Sequence, residues 1–144
     1  DAMTIEESDH VQATRLYHNT AQVHFDALAM KSSKVGRRIV YGGHVVSVSM
    51  ALAQNGLNTL LRIAAWNGGT HVAPTFAGDT LRVFTHVVER AEVPGRRDCG
   101  AVRLRMTTTK NVSAAELPKV EPLLSGTKGP IVLELDYWAL FPRR

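Results

Sequence analysis

The sequence holds a single cysteine, Cys99, so it can form no internal disulfide, and neither a disulfide framework nor a cysteine-based metal site is available to it. A reducing, cytoplasmic setting is therefore expected. No apolar run approaches the roughly 20 residues that cross a bilayer. The longest stretches, around Ile39–Val40 and Val45–Leu52, are interrupted by Gly, His and Ser. A basic start followed by an apolar block and a small-residue cleavage site is also missing, so neither membrane insertion nor a secretory segment is expected. Acidic side chains are absent from His44 through Ala65, where Arg62 is the only charged residue. Aromatic residues make up only 6% of the chain. With no stacked-aromatic stripe and no recognition helix, a nucleic-acid partner is not expected.

What is present fits one globular domain over residues 1–144, with 44% apolar and 21% charged side chains. The net charge of +4 is spread over arginine pairs: Arg37 with Arg38, Arg96 with Arg97, Arg103 with Arg105, and Arg143 with Arg144. Arginines on alternating strand positions mark a solvated sheet face. If they meet a polyanion, dispersed arginines suit a nucleotide-phosphate tail better than a duplex. The chain opens at Asp1 without a Met; an internal start, or one half of a longer polypeptide, is expected.

Thr4-Ile5-Glu6-Glu7 has capping-box spacing and predicts a short helix to about Leu16. Tyr17 through Phe25 reads as a loop, and Asp26 as the cap of a second short helix from Ala27 to about Lys31. Gly36 to Gly43 is a basic, glycine-flanked connection. A long helix is predicted from His44 to Ala65, because Val45, Val48, Leu52, Leu57, Leu60, Leu61 and Ala64, with Val46, Met50 and Ile63, place apolar or small side chains most of the way round it. Alternation begins at Trp66. Strands are predicted over Leu81–Val93, around Gly100–Lys110 after a Pro94-Gly95 turn, and from Ile131 to about Trp138. Gly78-Asp79 reads as a turn that opens a strand, and Ser113–Pro130 as an exposed loop. One long, mostly buried helix followed by long antiparallel strands is an α+β pattern in which a curved antiparallel sheet wraps a central helix: the hotdog fold.

Three stretches carry a resemblance. His18-Asn19-Thr20-Ala21-Gln22-Val23-His24 resembles the Gly-Asp-x-Asn-Pro-Leu-His loop of the MaoC-type enoyl-CoA hydratases, with His24 at the His position and Asn19 where the family has Asp. Val40-Tyr41-Gly42-Gly43-His44-Val45 resembles the family's entry to the hotdog helix, and Ala77-Gly78-Asp79-Thr80-Leu81 its Gly-Asp-Thr-Leu strand start. Together with the ending Leu135-Asp136-Tyr137-Trp138, the pattern is most similar to the mesaconyl-CoA hydratase (β-methylmalyl-CoA dehydratase) branch. The resemblance implies a MaoC-like C-terminal half of a double-hotdog unit, lacking the first strand a complete hotdog domain has before its helix. It implies pairing with a second hotdog domain or homo-oligomerisation, and an acyl-CoA substrate whose coenzyme A is carried in with it, with no separate cofactor or metal.

Adding water to an α,β-unsaturated thioester needs a base for the water, an acid for the α-carbon and donors for the enolate oxygen. Histidine titrates near neutral pH and can serve as both acid and base. His24 is the candidate acid/base, and Asn19, unable to transfer a proton, a candidate for orienting water and thioester. Gly42 and Gly43, at a helix start where anions are favoured, are the oxyanion candidates, with His44 beside the substrate. Two alternatives remain: a non-catalytic half that shapes a partner's acyl-CoA pocket, which Asn19 in the acid position favours, and a hotdog acyl-CoA thioesterase, which the carboxylate-free helix disfavours.

Overall fold

The computed structural model describes residues 1–116 and 129–143. In chain order these form β1 (Ala2–Thr4), α1 (Glu7–Leu16), α2 (Gln22–Phe25), α3 (Ala27–Lys31), α4 (Gly42–Ala53), a 3₁₀ turn (Gln54–Gly56), β2 (Arg62–His71), β3 (Thr80–Glu92), β4 (Cys99–Lys110) and β5 (Ile131–Pro142). The five strands make one antiparallel sheet in the order β1-β3-β4-β5-β2, with α4 against one face. This is the helix-and-sheet arrangement expected from the pattern.

Alternation decides which face each strand side chain takes. On β4, Leu104 and Met106 are fully buried and pair in register with Tyr137 and Leu135 of β5. On the opposite face Arg103 makes a two-pronged contact to Asp136 at 2.9 and 2.8 Å, and Asn67 reaches the same carboxylate at 2.8 Å. The Arg103 hydrogen bonds hold the Asp136 carboxyl down at about 2. The other arginine pairs have local carboxylates too: Arg38 meets Glu7, Arg96 meets Asp98 and Arg143 meets Glu92.

Helix α4 contributes Val45, Val48 and Ala53 to a core completed by Leu81, Leu104, Met106, Leu133 and Tyr137. Burying a Val or Leu side chain of this kind contributes about 1.5–3 kcal/mol. One polar contact crosses this interface: Thr108 Oγ1 donates to Ser49 Oγ at 2.9 Å with both residues fully buried. It fixes the position of the helix along β4.

Four expectations need correction. The helix predicted from His44 to Ala65 ends at Ala53, and Arg62 onward is strand. Asn55-Gly56 closes the helix in a 3₁₀ turn, while Leu57, Leu60 and Ile63 pack against the core, so their spacing continued the helical period without a helix. Thr4 does not cap α1: the N-cap is Glu6, which makes no side-chain cap bond, and the Thr4 hydroxyl pairs with that of Thr80. A first strand is present after all, as β1 on the sheet edge. Within the expected loop at Tyr17–Phe25, residues Gln22–Phe25 form one helical turn. Asp26 does cap α3, accepting from the Ala29 N–H at 2.9 Å. Most of the expected Ser113–Pro130 loop lies outside the described residues.

Strand β2 is the outer edge of the sheet and is exposed at every residue except Ile63. Its pairing with β5 is broken by two irregularities, between Ile63 and Ala65 and between Trp66 and Gly68.

The turn into β3 is held by one carboxylate. Gly78 adopts φ +89, a left-handed conformation that favours glycine. Asp79, 7% exposed, accepts from the Phe76 N–H at 2.9 Å, Asn111 Nδ2 at 2.8 Å and Lys110 Nζ at 3.1 Å. Burial alone would raise its pKa, but these donors outweigh it and hold the carboxyl below its ordinary value. Asp79→Ala should therefore cost about 2–3 kcal/mol of unfolding free energy, the worth of buried donors left without acceptors. Asp79→Asn, which keeps an acceptor for the Phe76 N–H, should cost less. Urea denaturation of the two variants against the parent checks both expectations.

Candidate active site

Helix α1 ends in a tight reversal: Tyr17 and His18 donate back to Ala13 and Arg15, and His18 takes φ 51. Asn19 then spends its side-chain carbonyl on the Ala21 N–H at 2.9 Å, an Asx turn that starts the single turn of α2. That turn presents His24.

Three bonds tie α2 to the connection before α4. The Ile39 N–H donates to the Val23 carbonyl at 2.9 Å. His24 Nδ1 lies 2.9 Å from the Ile39 carbonyl, and Arg38 Nη1 donates to the Phe25 carbonyl at 3.2 Å. A carbonyl oxygen can only accept, so Nδ1 is the donor in the His24 contact, and in the neutral ring Nε2 is left with its lone pair. The Tyr41 ring packs edge-on against the imidazole, with centroids 5.7 Å apart.

His24 lines a cavity of about 390 Å³ together with Ile39, Val40, Gly42, His71 and Thr75. The cavity sits at the start of α4, where the N–H groups of His44 and Val45 both reach the Tyr41 carbonyl at 2.9 and 3.2 Å. The two preceding N–H groups, on Gly42 and Gly43, are those a helix leaves without an intrahelical acceptor. Close approach explains both glycines. A Cβ at Gly42 would fall 2.8 Å from His71 Nε2, and one at Gly43 would fall 2.6 Å from the Tyr41 ring.

Of the residues singled out from the sequence, His24 and Gly42 meet at this cavity. Gly43 stands one residue behind, making room for the tyrosine that packs on His24. Asn19 is close in sequence but is not among the lining residues. His44 also lies off the cavity wall, partly buried; burial lowers its pKa, the Asp9 charge opposes that, and His10 adds to it.

Two further histidines were not singled out. His71, at the exposed end of β2, shares the cavity with His24, and desolvation of the ring edge that packs on Gly42 lowers its pKa. His10, on α1, is fully buried, with both ring nitrogens lacking a hydrogen-bond partner. Its Nε2 is 3.5 Å from a Glu7 carboxylate oxygen, yet its pKa is lowered, by burial first and by the His24 charge second. Burial prevails because the Glu7 side chain is 55% exposed and already engaged by Arg38. No spacing rule joins His24 to His71 at the cavity or to His10 behind it; only the fold brings each of them near His24. A second cavity of about 440 Å³ lies under the other end of the sheet, near Leu57, Val87 and Phe141, and no histidine or carboxylate among the described residues lines it.

A family model described as mesaconyl-CoA hydratase matches residues 4–132. The β-methylmalyl-CoA dehydratase of Chloroflexus aurantiacus is 46% identical over 145 residues, taking in 100% of this chain and 41% of that protein. A solved structure of a MaoC-domain dehydratase from Chloroflexus aurantiacus superposes with a TM-score of 0.92 at 45% identity, covering 100% of this chain and 41% of the other. A Mycobacterium tuberculosis protein with a double hotdog fold superposes at 0.70 with 27% identity, over 97% of this chain and 36% of its own. The fold is thus the hotdog. The chain spans about two fifths of the length of the curated relatives it matches.

The lowered histidines have a consequence for stability. A histidine ordinarily titrates near 6.5, and His10, His44 and His71 all lie below that in the folded state. As pH falls through about 6.5, the unfolded chain takes up protons that the folded chain does not, so stability declines with acidification and is intact above that range. The unfolding temperature should therefore drop between about pH 7 and pH 5.5. In His10→Leu, which removes a buried group with two unpaired nitrogens, the drop should be smaller and the value at neutral pH equal or higher. Thermal denaturation followed by circular dichroism across that range decides it.

Proposed function

The chain belongs to the mesaconyl-CoA hydratase family, and on that premise we propose that it acts as a hydro-lyase, adding or removing water across the α,β double bond of a mesaconyl-CoA-like acyl-CoA thioester with His24 as acid/base. The observation that carries this is the Nδ1 contact to the Ile39 carbonyl. It fixes the tautomer whose Nε2 can take a proton, on the wall of a cavity that also holds the first turn of α4.

In the hydration direction, Nε2 of His24 takes a proton from water as the oxygen bonds to the β-carbon. The electron pair of the double bond moves into the thioester, and the charge on its oxygen is met by the N–H groups of Gly42 and Gly43. The imidazolium then returns the proton to the α-carbon, leaving the ring neutral. Asn19 transfers no proton and lies off the cavity wall; its carbonyl, accepting from the Ala21 N–H, holds the turn that orients His24. The part taken by the protein's side chains is proton transfer, and the coenzyme A arrives as part of the substrate. Strand β2 supports assembly, because its exposed edge offers a ladder to a second hotdog domain or a second copy. A cytoplasmic setting is part of the proposal and rests on the lone, unpaired thiol of Cys99. Among the described residues no helix is long and apolar enough to cross a membrane.

The alternative of a supporting half draws on one observation, that Asn19 occupies the acid position without reaching the cavity wall. Variants of His24 in the active assembly separate the two. His24→Ala should slow hydration of mesaconyl-CoA, read as loss of the conjugated-thioester absorbance, by a factor on the order of 10² to 10⁴ with the fold unchanged. Asn19→Ala should cost on the order of 10 to 10², since it removes orientation and no proton transfer. Full activity in His24→Ala would move the chemistry to the partner domain and leave this chain as support.

A further inference from the structure

We propose that His71 is a second catalytic residue of this cavity: its neutral imidazole donates a hydrogen bond from Nε2 to the thioester carbonyl oxygen, completing with the Gly42 N–H the cradle in which the enolate charge develops. The inference rests on the hydratase reading and adds to it a side-chain donor.

His71 closes β2, paired with Leu133 of β5, and the strand delivers it to the first residue of α4. The edge of the ring does the packing. From the position a Cβ would take on Gly42, His71 Nε2 is 2.8 Å away, Cε1 3.1 Å and Cδ2 3.4 Å. The rest of the residue faces outward from an exposed edge strand. Gly42 thus does more than admit a tight helix start, since any side chain there would push this ring away from the helix terminus.

His71 and His24 are the two titratable side chains among the described residues lining the cavity, which carries no lysine, arginine or carboxylate. His24 is committed through Nδ1 to Ile39. Neither nitrogen of His71 has a hydrogen-bond partner among the described residues, so the ring keeps a donor for a ligand. Its protonation state suits that use. Burial lowers the pKa, and the partial positive charge at a helix N-terminus opposes an imidazolium beside it. A neutral ring donates from Nε2 without adding a full charge. In the ground state the thioester oxygen accepts a modest bond, and that bond strengthens as the oxygen becomes an enolate. The proton ledger of hydration is unchanged: water gives its proton to His24, His24 gives it to the α-carbon, and the Nε2 proton of His71 stays where it is.

Butyryl-CoA carrying ¹³C at the thioester carbonyl binds as substrate does but has no double bond to hydrate, so its infrared carbonyl stretch reads the contact without turnover. In the parent protein the stretch should move to lower frequency than in solution. His71→Ala should return most of that shift, His71→Gln, which keeps an N–H donor, should retain part of it, and His24→Ala should leave it in place. In hydration of mesaconyl-CoA, His71→Ala should lower kcat on the order of 10² to 10³ with a smaller change in KM, and His71→Gln should recover part of the loss. A parent protein with no carbonyl shift, or a His71→Ala variant with parental shift and kcat, overturns the proposal. The hydratase reading fails separately: no hydration by the parent, with a carbonyl shift that still depends on His71, leaves the contact standing and removes the reaction. Unfolding temperatures of both variants show whether a loss comes from misfolding, and His71→Gln, closer in shape to histidine, settles the matter if the alanine variant does not fold.

Discussion

Two residues, Ile39 and Val40, hold the site together. Ile39 donates to the Val23 carbonyl and Val40 to the Thr75 carbonyl, at 2.9 and 2.8 Å, so the backbone leading into α4 is bonded to the α2 turn on one side and to the segment after β2 on the other. The Ile39 carbonyl also takes the His24 ring. A dipeptide without a chemical side chain thus sets the distance between the imidazole of α2, the helix terminus of α4 and the end of β2. Both residues line the cavity, and Val40 is 2% exposed. Burial of Val40 stiffens this geometry, because breaking its backbone bond would leave polar groups without water to replace it.

The titratable side chains that line the cavity beside that dipeptide are histidines, and no carboxylate among the described residues joins them. Asp79 and Asp136 are committed to turns and sheet-face pairs, and Glu7, the carboxylate nearest the histidines, is drawn off by Arg38. Desolvation is the largest influence on His10, His44 and His71 and lowers the pKa of each, despite Glu7 beside His10 and the Asp9 charge felt by His44. A cavity lined by imidazoles and no carboxylate would suit the proposed reaction, in which one ring takes a proton from water and passes it on. The fully buried His10, with neither nitrogen satisfied, is part of what this arrangement costs in stability.

Strands β4 and β5 were legible in the sequence because apolar side chains alternate toward a buried face, as Leu104 and Met106 opposite Arg103 and Arg105 show, whereas β3, buried only at Leu81, was legible from its place before the Pro94-Gly95 turn. The start of α4 was legible from Gly42-Gly43. Its end was not, because Leu57 and Leu60 keep helical spacing while packing from a turn, and the weight of Asn55-Gly56 as a stop was underestimated. At the site, His24 stood out because a loop pattern surrounds it. His71 sits in an edge strand with no neighbouring motif. The one local sign of it is a glycine far away in the chain, and a glycine alone does not say which ring it makes room for. His10 was invisible for a related reason: a histidine on an amphipathic helix looks the same from its sequence whether it faces water or the interior.

The two irregularities in β2 bear on how readily its edge could add further strands. A flat, exposed edge ten residues long would accept any extended strand, and each strand added would offer a fresh edge to the next, the growth rule of a fibril. At Ile63/Ala65 and Trp66/Gly68 the backbone loses its regular step, so an incoming strand finds the donors and acceptors out of phase beyond a few residues. The interruptions therefore shorten the regular ladder that this edge can offer, which disfavours open-ended strand addition.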